Sequence, residues 1–167
     1  MVMNKEAQLA IVTDYEGLAD NPLLEVTPIA TGQDIFVGGL QYKGLEKFDQ
    51  GRLLNEPILA LRRGTTSRTF FDEITHGACR KPRFELDNFD LLVDLVEIDM
   101  GIALVPQMVA ATKLQEGTIV KIDTDIQVPE RTIVLVQSRM VPQTEGMRQF
   151  VDLLLGRETI DRKEEIQ

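Results

Sequence analysis

Residues 56–74 read EPILALRRGTTSRTFFDEI, residues 82–96 read PRFELDNFDLLVDLV, and residues 101–106 read GIALVP. In the first stretch an apolar run, PILAL, breaks at Gly64 into three hydroxyl residues, Thr65, Thr66 and Ser67. Apolar residues then resume at helical spacing with Phe70, Phe71, Ile74 and Ala78, so the pattern is strand, turn, helix. In the second stretch Asp87 or Asn88 supplies an N-cap for a helix whose buried stripe is Leu91, Leu92, Leu95 and Val96. The third stretch is a short apolar strand, after which Pro106 opens another helix, PQMVAATKL. This succession sets short hydroxyl and amide side chains at helix starts beside a sheet edge, where unpaired backbone N–H groups favour small anionic ligands.

The rest of the chain reads outward from that block. LAIVTD, residues 9–14, is apolar on both faces and is expected to be a buried parallel strand. LLEVTPIA is extended, with Pro28 limiting its pairing, and DIFVGG is a further strand. Residues 40–54 are polar and glycine-bearing, and read as loop or a short helical turn. TIVKID and RTIVLVQ are the last strands. TEGMRQFVDLLLGRE closes as an amphipathic helix with Met147, Phe150, Val151, Leu154 and Leu155 on its apolar side and Gly156 as its C-cap. Alternating strands and helices imply an α/β fold with a mostly parallel sheet. Two polar or proline-bearing segments, residues 26–31 and 123–131, read as crossings between two lobes.

Composition narrows the function classes. The chain has 167 residues, 43% of them hydrophobic, with a formal net charge of −9, which suits a folded acidic domain or two small lobes. That charge argues against autonomous nucleic-acid binding, which needs a clustered basic face. No apolar run approaches the roughly 20 residues of a membrane span. The opening MVMNKEAQLAIV lacks the layout of a signal peptide, and the single cysteine, Cys79, rules out an intrachain disulfide framework; both favour the cytoplasm. His76 and Cys79, the only histidine and cysteine, fall three apart on the first helix, too few for a zinc site and without the distant partner that a Cys-His nucleophile needs. There is no phosphate-loop or dinucleotide glycine motif, and the expectation is a protein without catalysis, cofactor or metal.

In order and spacing, LAIVT, EPILALRRGTTSRTFFDE, FELDNFDLLVDLV, GIALVP and RTIVLV together resemble the effector-binding domain of LysR-type transcriptional regulators over nearly the whole chain. One departure is Asp99, which stands where that family usually carries glycine. The resemblance implies a two-lobed, type 2 periplasmic-binding-protein-like α/β fold, here with its first lobe incomplete and N-terminally truncated. Residues 1–28 and 130–160 would form the partial first lobe, residues 29–129 the second lobe, and residues 161–167 a polar tail. It implies a bacterial, cytoplasmic sensor that binds a small-molecule effector, an anion or carboxylate, in a pocket between the lobes. Thr13, Thr65, Thr66, Ser67, Asn88 and Phe89 would touch the effector, with Arg63 and Arg68 adding charge. DNA contact would belong to a helix-turn-helix domain outside this chain, and the intact protein would be a homo-oligomer. Two other readings stay open: a free-standing solute-binding protein of the same fold, and a small α/β enzyme.

Overall fold

A computed structural model describes residues 8–79 and 81–157, and the chain divides into two compact units. One unit takes in the described residues up to Ala30 and those from Thr132 onward; the other is Thr31–Arg131. Residues 161–167, read as a polar tail, lie outside the described residues.

The first unit is built on a three-stranded sheet, in the order β1 (Leu9–Thr13), β8 (Arg131–Ser138), β2 (Leu24–Gly32). β1 runs antiparallel to β8, with Leu9 opposite Gln137 and Thr13 opposite Ile133. The expectation of a buried parallel strand here is therefore corrected, and Ile11 is 47% exposed. Doubly apolar sequence reports burial potential, whereas strand direction is set by which segment returns beside it. β2 lies at one side of this sheet, where Pro28 costs no ladder hydrogen bond on its outer side. A small core of Leu18, Leu24, Val134 and Val136 holds the unit together. Its helix α5 (Glu145–Leu154) starts at Thr144, whose hydroxyl accepts from Met147 N–H, and buries Met147 and Val151. Phe150, expected on the buried stripe, is 44% exposed.

The second unit holds a five-stranded sheet in the order β5 (Phe84–Leu86), β4 (Ile58–Leu61), β6 (Ile102–Pro106), β3 (Asp34–Gly38), β7 (Val120–Lys121). β4 is parallel to both β5 and β6, but β3 is antiparallel to β6 and to β7. With β1–β8 also antiparallel, the mostly parallel sheet expected from alternation is corrected to a mixed one. Side chains of the central strands alternate between two cores. Ile35, Val37, Leu59, Leu61, Ala103 and Val105 face α3 (Phe89–Glu97) and α4 (Gln107–Glu116). Phe36, Ile58, Ile102 and Leu104 face the side of α1 (Gln50–Asn55) and α2 (Thr66–Ile74). The α3 stripe Leu92, Val93 and Val96 is at most 2% exposed, and burying each such side chain is worth about 2 kcal/mol.

Local chemistry sets the ends of these elements. The stretch 40–54 holds more than a loop: a 3-10 turn over Leu40–Tyr42, then α1, capped by Asp49 accepting from Arg52 N–H at 2.7 Å and anchored by the fully buried Leu53. α2 stops at Ile74, short of expectation. His76 takes a left-handed φ of 52°, and Gly77 N–H reaches back to Asp72 C=O at 2.7 Å, a Schellman closure. His76 and Cys79 are therefore not on one helix, and Ala78 is exposed rather than part of the apolar face. α3 ends the same way, with Asp99 at φ 60° and Met100 N–H on Leu95 C=O at 3.0 Å. Gly101 is forced by close approach, since a Cβ there would meet Pro57 C=O at 2.1 Å. Of the two segments read as crossings, 123–131 is largely fastened to the second unit. Thr124 bridges Phe48, Ile126 is buried, and Val128 C=O accepts from Gln33 Nε2 at 2.9 Å.

Candidate functional site

The parallel register of β4, β5 and β6 brings their carboxyl ends to one edge of the second unit's sheet. Leu61 lies opposite Leu86, and the neighbouring pair Leu59 and Ala103 carries the alignment to β6. Each strand there gives way to a helix, so α2, α3 and α4 all begin at this edge. The antiparallel β3 starts there too, with Asp34 opposite Pro106.

Thr65, Thr66, Ser67, Asn88 and Phe89 all fall at this edge. Thr65 is the N-cap of α2: its hydroxyl accepts from Arg68 N–H at 3.1 Å and donates to Arg62 C=O at 3.1 Å. Thr66 is exposed and Ser67 half-buried on the first helical turn. Asn88 caps α3, its Oδ1 accepting from Leu91 N–H at 2.8 Å. Phe89 packs its ring against the α3/α4 core. Arg62 and Asp87 pair at 2.9 Å across the two loops, but both are about two-thirds exposed, so solvent screens the link. Thr13 belongs to the first unit, where it ends β1.

Two arginines are largely buried: Arg68, expected to add charge to the effector pocket, and Arg131, which the sequence did not single out. Arg68 is 1% exposed. Its Nε donates to Asp72 at 3.0 Å and its Nη1 to Leu61 C=O at 3.0 Å and Glu85 at 2.9 Å, tying the end of β4 to α2 and β5. The Arg68 hydrogen bond holds the Glu85 carboxyl below its ordinary range. Arg131 pairs through Nη2 with the buried Asp34 at 2.6 Å and lies over the Phe70 ring, 4.6 Å from its centroid. Burial pushes the Asp34 carboxyl upward, against the pull of Arg131. Among the described residues both guanidinium groups leave one buried nitrogen without a partner, Nη2 of Arg68 and Nη1 of Arg131. Sequence reasoning missed the Asp34–Arg131 pair, and only the Arg68–Asp72 spacing of four hinted at the other.

Beside β3 the sheet splits. Ile122 N–H still bonds Phe36 C=O at 2.8 Å, the chain then departs, and Gln33 Nε2 closes the gap by donating to Asp34 C=O and Val128 C=O. A cavity of about 200 Å³ lies there, lined by Gln33, Phe36, Ile122, Thr124 and Val128 among others. Among the described residues no group of three or more His, Cys, Asp or Glu side chains is placed to hold a metal ion. His76 is exposed while Cys79 is buried, its thiol pushed up by desolvation, so the two do not form an activated pair. No helix is long and apolar enough to cross a membrane among the described residues.

A family model described as LysR substrate binding domain matches residues 1–158. No curated protein matches the chain. Among solved structures, the regulatory domain of CcmR from Synechocystis PCC6803, in complex with 2-PG, aligns with a TM-score of 0.77 at 17% identity, over 93% of this chain and 75% of that one. The regulatory domain of HypT from Salmonella typhimurium, in its apo form, gives 0.75 at 14% identity, over 93% and 75%. The effector binding domain of QuiR, in complex with shikimate, gives 0.73 at 17% identity, over 93% and 73%. At such identities these likenesses speak to the fold.

Proposed function

The chain belongs to the LysR substrate-binding family, as the effector-sensing domain of a transcriptional regulator with the type 2 periplasmic-binding-protein-like fold, and we propose that its effector is gripped at the carboxyl edge of the second unit's sheet. The observation that carries this reading is the convergence of two capped helix starts, at Thr65 and Asn88, on one edge. Helix starts concentrate unpaired N–H groups and partial positive charge, and Thr66 and Ser67 add hydroxyls that no cap consumes. Such a surface suits a small anion or carboxylate. In CcmR and QuiR the bound molecules are 2-PG and shikimate.

The domain holds its ligand without transforming it. Thr65 and Asn88 orient the helix starts, Phe89 anchors α3 in the core, and Thr66 and Ser67 meet the ligand. Ligand binding shifts the population of the regulator's conformations, and DNA contact falls to another part of an oligomeric, cytoplasmic protein. The test is a titration of the domain with a panel of small carboxylates, followed by backbone amide NMR. Saturable shifts centred on Thr66, Ser67 and Phe89 are expected. A ligand whose shifts map elsewhere and spare both helix starts would refute the site.

A further inference from the structure

We infer that Arg131 is the charge-recognising residue of this site and that its Nη1 donates to a carboxylate on the effector, an inference that rests on the site proposed above. Three observations place it there. Its guanidinium lies over Phe70, 4.6 Å from the ring centroid. Phe70 is four residues after Thr66 and three after Ser67 on α2, so all three share one helix face, with the hydroxyls one turn nearer the helix start. Its partner Asp34 stands opposite Pro106, the residue that caps α4. The guanidinium is thus set on the face of α2 that carries the free hydroxyls, at the edge where α4 begins.

Its hydrogen bonding is also incomplete. Nη2 is engaged by Asp34 at 2.6 Å, while Nη1 is buried without a partner among the described residues and the side chain is 11% exposed. A buried donor left unpaired has lost its hydration without compensation, a cost that an arriving acceptor relieves. The flat fork of a guanidinium accepts carboxylate geometry, and stacking on Phe70 fixes its plane beforehand. Arg68 also has an idle nitrogen, but its other donors are spent on Asp72, Glu85 and Leu61 C=O, which commits it to joining α2, β4 and β5.

Acetate is the minimal probe, with acetamide as its uncharged counterpart, read by guanidinium and backbone amide ¹⁵N NMR on the wild-type domain and on Arg131→Lys. Expected are saturable movement of the Arg131 Nη signals with acetate, none with acetamide, and at least a tenfold weaker acetate affinity in the variant. The wild-type guanidinium signals decide the matter even where the variant folds poorly. If acetate moves the Thr66 and Ser67 amides, leaves Arg131 still and binds the lysine variant equally well, the inference is overturned while the site itself survives. If acetate moves nothing, the inference is likewise overturned, and the site is judged by its wider panel.

Discussion

The Asp99 carboxylate occupies the space that a side chain on residue 39 would need: a Cβ on Gly39 would fall 2.0 Å from Asp99 Oδ1 and 2.7 Å from Val96 C=O. Asp99 holds the left-handed turn that ends α3. Its side-chain oxygen also faces the Gln41 N–H, and its carbonyl accepts from Gln41 Nε2 at 3.3 Å. The aspartate at 99 and the glycine at 39 are therefore one feature. Gly39→Ala is expected to destabilise the domain by about 3 kcal/mol in urea denaturation, because the Val96 carbonyl is backbone and cannot move aside cheaply. Adding Asp99→Gly should recover only part of the loss. Full recovery would show that Val96 C=O is no obstacle.

Leu91 and Leu92 are neighbours in sequence with opposite fates, 42% and 1% exposed. Leu92→Ala is expected to cost about 3 kcal/mol in denaturant midpoint analysis, and Leu91→Ala less than about 1 kcal/mol. Equal losses would mean that the buried face of α3 has been misplaced.

Tyr42 is buried, with its hydroxyl donating to Glu56 Oε2 at 3.0 Å, and desolvation pushes its ionisation well above the ordinary 10.0. The folded state thus resists losing this proton more than the unfolded state does. Its stabilising contribution is complete below pH 10 and is lost as pH rises through the alkaline range. Stability measured against pH should therefore fall above pH 10 more steeply in the wild type than in Tyr42→Phe. Parallel curves would contradict the assignment.

Cys79 is 8% exposed, and burial raises its thiol. Its reaction with a disulfide reagent at neutral pH should be at least about a hundredfold slower in the native protein than in urea, and should track unfolding. Fast native modification would show that the segment after α2 opens on its own.

Thr65 and Thr66 separate stability from recognition. Thr65→Ala removes the cap on Arg68 N–H and is expected to cost about 1 kcal/mol. Thr66→Val removes a hydroxyl that caps nothing, so it should leave the melting temperature within about 2 °C while weakening carboxylate binding several-fold. A binding loss confined to Thr65→Ala would assign the hydroxyls at this edge to the fold alone.

What the sequence disclosed was what neighbouring residues decide among themselves. The cap at Asn88 was legible because a cap and its N–H lie three residues apart, whereas the equivalent cap at Thr144 was not singled out. The α2 and α3 stripes were legible only in part through their period: Phe71, Leu92 and Val96 are buried as expected, but Leu91 and Ala78 are exposed and the buried Val93 was not singled out. The direction of β1 was not, because antiparallel pairing with β8 joins residues more than a hundred positions apart. Helix α1 was legible only as one alternative, a short helical turn, given its brevity and Gly51, and the end of α2 was hidden by a histidine in a conformation that usually belongs to glycine. Buried charge was the least visible. Nothing near Asp34 announces Arg131, and nothing near Arg68 announces Glu85; both pairs exist only once the sheet has formed. The expected site residues came from the family resemblance, whereas the residue inferred to read the ligand's charge had no pointer in the sequence.

The first unit draws its strands from both flanks of the chain, while the second uses one uninterrupted stretch, Thr31–Arg131. Every strand of the five-stranded sheet precedes β8 in order of synthesis, so the pairing of β1 with Ile133 and its neighbours is the last of these to become possible. Pulse-labelled hydrogen exchange during refolding should accordingly protect β4 and β6 before β1. An aggregation-prone interval is then expected while LAIVT lacks β8, and its length is set by the speed of translation.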